Sequence, residues 1–560
     1  MLIGPRMAWC MTAWRTLFRP PAEHFANALA APGPLRNHSR TSFTVLLGLV
    51  LVCLVPRVLM AWRVPTVVAD GALYIHAARA LDKGTPAEAL GHLSLNTYPA
   101  ILLALHRVGL DWETAGKWWG VVIASLVVAP MYGWARRQFD TQVAAVACLL
   151  YAFHPKMIQW SPEVIRDSTF WFLFMLAIYL LWRAVTEVRI GWYAAAGLAA
   201  CLAALTRFEG LFLAIPLALW SLWRLRALRS CKGRLLAGLV LCLATGPLFI
   251  LAISSLVLRA ETVWRLLRLD PLGRLWTWAV AVLGGFAPGL GGVAAAHVGE
   301  PLSAWRMLAV FFPTMTRGLS PVFALLMFGG MWGWRHVWGR RDHQALFYTG
   351  LVVTAAIWIQ LWYDRILCPR YALTIVLFAT VFAALGLLGL SARLARLALR
   401  YRLRSQAVVL AALAPTVLAC GVGLADAMTS SRGYFAARTV AMHLGRWARR
   451  AFPSPPVIVG PAAVTPIVGH YAESPRWAVF RFDTRDPEVV LGLVKQHCPD
   501  LLVVAPTRGL SEPQCQDLVH RARALGFRLV EPGELPPDIS DLHVLVRHPT
   551  GALVASRPEQ

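Results

Sequence analysis

The sequence predicts an all-α polytopic membrane protein with a small α/β domain at its C-terminus. Three observations lead there. Hydrophobic residues make up 58% of the 560-residue chain and charged residues only 15%, against roughly 25% charged in ordinary soluble domains. Apolar runs of about 18–24 residues recur along the first 425 positions, each long enough to cross a hydrocarbon slab as a helix. After Ala425 the composition turns rich in Pro, Arg and Asp.

Taken in order, residues 1–42 read as a basic cytoplasmic tail. Arg6, Arg15, Arg19, Arg36 and Arg40 surround a weak apolar stretch that gives no convincing cleavable signal. About eleven transmembrane helices are expected between 43 and 427, at 43–62, 115–135, 141–154, 168–183, 190–206, 210–223, 235–257, 319–334, 346–363, 371–391 and 406–425. Trp62, Trp118, Trp119, Trp223, Trp334 and Trp362 sit at run ends, where interfacial belts place them. Short dense clusters of Lys and Arg recur at 136–137, 183–189, 224–234, 335–341 and 393–404. With the N-terminus inside, all five fall on the cytoplasmic side of a multi-pass inner-membrane protein. Large outer loops are then expected at about 63–114, with helical stretches at 71–82 and 97–109, and at about 258–318. Within the second loop, 275–298 reads as an interfacial or re-entrant segment, since a further span would reverse the later clusters.

The tail of the chain, 428–560, reads as an extracytoplasmic α/β domain. Strand-like runs at 457–460, 477–482, 501–505, 527–530 and 542–546 alternate with helical stretches at 487–497 and 512–525. It has no GxGxxG and no P-loop, so no nucleotide site is expected.

The net charge of +25 sits at the ends of apolar runs and serves anchoring and topology. No readout module accompanies it, so nucleic acid is not expected as a partner. The ten cysteines show no CxxC or Cys/His metal spacing. Cys498 and Cys515 share the outer domain and can pair if it is oxidised.

Ionisable groups are costly near a bilayer, so those at outer span ends invite a functional reading. Asp70, with Tyr74 one turn later, is either a capping acid or a carboxylate able to take a proton from an acceptor hydroxyl. Glu163 and Asp167 are four apart with Arg166 between them. They form either an interfacial salt-bridge cluster or a site for a metal ion or charged head group. Arg207 and Glu209 lie in a very short outer connection; Arg207 either pairs with Glu209 or grips a lipid phosphate. Arg365 and Arg370 flank the tenth span and either snorkel or recognise phosphate. Carboxylates and arginines on one face suit transfer of a sugar from a lipid phosphate, which needs a base and positive charge on the leaving group.

These segments resemble a known family. Asp70 with Tyr74, Tyr98–Pro99, SPEVIRDSTFWF at 161–172, LTRFEG at 205–210 and PRY at 369–371 occur in the order found in bacterial protein O-mannosyltransferases and aminoarabinose transferases, within the glycosyltransferase-C superfamily. The resemblance covers roughly 40–425. It implies a glycosyltransferase-C-like fold and inverting transfer from a polyprenyl-phosphate-linked sugar to an acceptor protein, lipid or glycan at the outer face. It implies Asp70 as the catalytic acid of the first loop, and Arg166, Arg207 and Arg370 as contacts to the donor phosphate. Glu163 or Asp167 matches the acid of the second loop, and Tyr74, Glu209 and Tyr371 are further site candidates. A divalent metal ion is left open, since some members of the superfamily use one. The chain departs from many mannosyltransferases in having Asp70–Gly71 where they have Asp-Glu. The alternatives are a polytopic transporter and a catalytically inactive scaffold of the same fold. A transporter is disfavoured because the charges sit at span ends, and the two halves show no repeat.

Overall fold

The computed structural model describes residues 39–86, 88–89, 96–227, 232–257, 304–333, 341–364, 367–475, 478–482, 486–506, 510–539 and 542–547, apart from isolated side chains within these ranges. Most of the expected basic tail, the re-entrant segment at 275–298 and Arg365 lie outside them.

The helical part runs α1 (Ser39–Arg63), α2 (Ala69–Asp82), α3 (Thr97–Arg107), α4 (Trp112–Leu126), α5 (Val128–Gln138), α6 (Thr141–Ala152), α7 (Pro155–Trp160), α8 (Asp167–Glu187), α9 (Ile190–Thr206), α10 (Ala214–Ala227), α11 (Lys232–Val257), α12 (Ala304–Leu319), α13 (Pro321–Gly333), α14 (Arg341–Asp364), α15 (Leu373–Arg400) and α16 (Ser405–Ser430). Among the described residues, seven helical segments are long and apolar enough to cross a membrane, and α12 with α13, bent by 90°, make an eighth if taken as one span. The expected spans at 141–154, 190–206 and 346–363 fall on shorter apolar helices. The bend between α12 and α13 has a local cause. Ser320 adopts a left-handed φ of 63°, and Pro321 follows it, removing a backbone donor.

The bundle core is apolar and aromatic, with Trp134, Trp171, Trp220, Tyr151 and Phe174 fully buried. Close helix approach uses glycine. A Cβ on Gly330 would lie 1.9 Å from Phe382 O, and one on Gly386 2.1 Å from Leu326 O, so α13 and α15 meet backbone to backbone.

The two ends of the bundle differ. At one end, Arg137 and Arg183 converge on Glu187. This is the end of the basic connections. At the other end lie α2, α3, α7, the turn at 161–166, and two 3₁₀ turns, Phe208–Leu213 and Pro369–Ala372. Hydrogen bonds join these pieces across the chain: Thr97 to Thr206 at 2.7 Å and Asn96 to the Thr206 carbonyl at 3.4 Å. A buried guanidinium, Arg57 on α1, donates to Ser161 Oγ and to the carbonyls of Cys53 and Ala152, pinning the turn to the bundle.

Beyond α16 the chain continues as α17 (Arg432–Ala451), β1 (Ile458–Pro461), α18 (Thr465–Tyr471), β2 (Val479–Phe482), α19 (Pro487–His497), β3 (Leu501–Val504), α20 (Glu512–Ala524), β4 (Phe527–Leu529) and β5 (His543–Arg547). The sheet order is β2-β1-β3-β5-β4, with β1 parallel to both neighbours and β5 antiparallel to β3 and β4. Strand alternation sends Ile458, Leu501, Val503 and Val544 toward α17 and α18, and Val459, Leu502, Val504 and Leu545 toward α19 and α20. All five strands fall on the expected runs. The helices α17 and α18 were not expected. Cys498 and Cys515 do not pair: Cys515 is buried under the sheet face of α20, whereas Cys498 is exposed at the end of α19.

Candidate active site

Asp70 lies in the first turn of α2, where a carboxylate is favoured by the helix dipole. Its neighbour explains the departure from Asp-Glu. A Cβ on Gly71 would sit 2.9 Å from Val164 O and 3.2 Å from Val164 Cβ, so α2 starts flush against the turn at 161–166 and leaves no room for a side chain at 71. The Asp70 side chain stays 40% exposed, and its Oδ2 accepts from Arg370 Nη2 at 2.6 Å. Arg370 comes from the turn Pro369–Ala372, where Pro369 sets the backbone. Its Nε is buried and has no partner among the described residues, so the guanidinium retains an unused donor beside the carboxylate.

Arg207 follows α9 and is buried. It bonds Asp167 at the head of α8 through Nη1 and Glu209 through Nε and Nη2, with the Nε contacts at 3.1 and 3.2 Å. Each nitrogen of this guanidinium has a carboxylate partner, the geometry of an intraprotein ion pair. Its rings of contact are Phe170 and Tyr371, each 5.6 Å from Cζ. Tyr371 also faces Arg370, at 5.9 Å.

Arg166 immediately precedes α8. It is half-buried, lies 6.0 Å from the ring of Tyr74, and makes no ion pair among the described residues. Tyr74 is buried edge-on to Tyr98, with centroids 5.2 Å apart. Burial pushes its hydroxyl up to about 12, with Asp70 reinforcing and Arg166 opposing the shift, so it remains a proton donor.

Glu163 and Asp167 do not share a helix face as their spacing suggested. Residues 161–166 form turns, and α8 begins only at Asp167. Glu163 points instead to Arg438 on α17, which bonds it at 2.6 and 2.9 Å in a fully buried pair. Arg438 lies in the tail that sequence reading left without a site. Nothing in the sequence separates it from the other arginines of α17.

Glu163, Asp167 and Glu209 are each buried against an arginine. Among the described residues no group of three or more His, Cys, Asp or Glu converges as a metal site would require. The described residues therefore offer no donor set for a divalent ion.

A profile of the dolichyl-phosphate-mannose-protein mannosyltransferase family matches residues 98–250. No curated protein sequence matches the chain. Solved structures share the architecture. ArnT from Cupriavidus metallidurans, crystallised with undecaprenyl phosphate, aligns with a TM-score of 0.54 at 13% identity over 93% of this chain and 100% of that one. The Archaeoglobus fulgidus oligosaccharyltransferase in complex with Zn and sulfate aligns at 0.51 and 16% identity, covering 82% and 68%. The same organism's AglB, bound to an inhibitory peptide and dolichol-phosphate, aligns at 0.50 and 14% identity, covering 83% and 69%.

Proposed function

We propose that this chain, a polytopic helical protein with the glycosyltransferase-C fold, is a membrane glycosyltransferase that moves a sugar from a polyprenyl-phosphate donor to an acceptor hydroxyl or amine on a protein, lipid or glycan. The observation that carries the reading is the meeting of Asp70, Arg370 and Arg166 from three separate segments at one end of the bundle. The ligands of the structural neighbours, undecaprenyl phosphate and dolichol-phosphate, point to the same donor class.

In this reading Asp70 accepts the proton of the attacking acceptor group. A new bond forms at the anomeric carbon as its bond to the phosphate oxygen breaks, and the lipid phosphate leaves with the bonding electrons. Attack opposite the leaving group inverts the anomeric centre. Arg370 uses its Nε–H, and Arg166 its guanidinium, both unpaired among the described residues, to hold the departing phosphate. Arg370 also orients Asp70, so base and leaving group are fixed by one side chain. Arg207 keeps Asp167 and Glu209 neutralised behind the site, and Tyr74 and Tyr371 form its walls.

We place this end of the bundle outside the cytoplasm. The membrane domain, 43–427, would then lie in the inner membrane, with 428–560 above it on the outer side. The basic connections at the opposite end support that orientation. Incubating purified protein with a panel of polyprenyl-phosphate sugars and measuring released lipid phosphate tests the activity. Release from at least one donor is expected; folded protein that releases none from any donor would refute it.

A further inference from the structure

The catalytic reading leaves the buried Arg438 without a role. Arg438 belongs to α17, the helix that joins the last membrane span to the sheet domain, and is 4% exposed. Its Nη1 and Nη2 fork onto Glu163 at 2.6 and 2.9 Å, and Nη2 also donates to the carbonyl of Thr66. Thr66 lies four residues before Asp70, and Glu163 three residues before Arg166. One guanidinium thus ties together the two chain segments that present the base and a phosphate-facing cation.

The segment it holds needs holding. Residues 64–68 link α1 to α2 without regular structure, so their backbone polar groups must find partners elsewhere. Val64 O accepts from Lys117 Nζ at 2.9 Å. Thr66 O accepts from Arg438, and Val67 N donates to Tyr471 Oη at 3.4 Å. Tyr471 in turn donates to Glu113 at 3.0 Å, and His470 sits 3.3 Å from the same carboxylate. Of these three long-range anchors, two come from the tail beyond α16.

We propose that Arg438, assisted by Tyr471, is a positioning residue. Through it the C-terminal domain sets the placement of Asp70 relative to Arg166, so that the domain is part of the catalytic apparatus and not a cover over it. This deepens the glycosyl-transfer reading and rests on it. A misplacement of about 1 Å at a reacting group costs on the order of 100-fold in rate, so loss of the tether acts on turnover more than on donor binding.

The test separates positioning from bulk stability. Arg438→Met strands a buried carboxylate, and both stability and activity fall. In the double variant Arg438→Met/Glu163→Leu an apolar pair replaces the buried ion pair, a change that is often neutral for stability. The Thr66 carbonyl still lacks its donor. The double variant is expected to recover the melting temperature while kcat stays about 10- to 100-fold down and KM for the lipid donor holds. Amide exchange in peptides spanning 64–70 is expected to quicken in both variants, and more mildly in Tyr471→Phe. A double variant that regains kcat along with stability would overturn the proposal, as would unchanged exchange at 64–70. If the parent protein turns over no donor, exchange alone decides: faster exchange upholds the tether while the transferase reading fails.

Discussion

Replacing Arg207 by methionine removes the guanidinium that bonds two buried carboxylates. The side chains of Arg207, Asp167 and Glu209 are 5%, 3% and 7% exposed, so water cannot take over from the lost partner. Breaking a buried pair by deleting one member costs roughly 3–5 kcal/mol. Here one cation bonds two buried acids, which puts the cost near the top of that range, about 5 kcal/mol. Domains are typically stable by only about 5–15 kcal/mol, so Arg207→Met is expected to be marginally folded. Thermal unfolding in detergent reads the loss, and titration with undecaprenyl phosphate below the transition reads the site. The melting temperature should fall steeply while the folded fraction binds the lipid phosphate within about threefold of the parent, under 1 kcal/mol. Neutralising the stranded acids in Arg207→Met/Asp167→Asn/Glu209→Gln should restore most of the stability. An unchanged melting temperature with binding weakened about tenfold or more would refute the structural role and return Arg207 to the phosphate contact that its sequence position suggested.

Arg166→Gln should behave in the opposite way. With no ion pair to lose among the described residues, it should leave the melting temperature unchanged and raise KM for the lipid donor by about 10-fold, the worth of one charge-assisted hydrogen bond. Steady-state kinetics beside a melting curve checks both. Gly71→Ala should cost about 1–3 kcal/mol, because the added Cβ meets the Val164 carbonyl at 2.9 Å and the backbone must move. It should also slow turnover, since the residue that shifts is the neighbour of Asp70.

Much of the fold was readable from residues alone because burial in lipid imposes a coarse rule. Apolar length sufficed to locate α1, α8, α11, α15 and α16, and short strand-like runs located all five strands. The failures share a physical origin. The amphipathic α17 interrupts its apolar residues with five arginines and reads as polar tail, yet its Ala441, Leu444 and Ala448 close one face of the sheet. At the site, sequence spacing brought the right residue types to one end but could not assign partners. Glu163 and Asp167, four apart, go to different arginines because turns intervene between them. The partner of Glu163 lies 275 positions away. Asp70 and Arg370, 300 apart, meet only because the head of α2 and the turn Pro369–Ala372 lie at the same end of the bundle. The exclusion of a side chain at position 71 is likewise a packing fact, set by Val164 and invisible in local sequence.

The proposed glycosyl transfer turns on Asp70 as the proton acceptor, and Asp70→Asn tests this directly. The substitution is isosteric and the side chain is 40% exposed, so the protein should insert and melt as the parent does. Rates of lipid-phosphate release from the donor that the parent uses should fall by about 100- to 10,000-fold, the usual contribution of a positioned general base. Release within about tenfold of the parent by a normally folded Asp70→Asn protein would contradict the account.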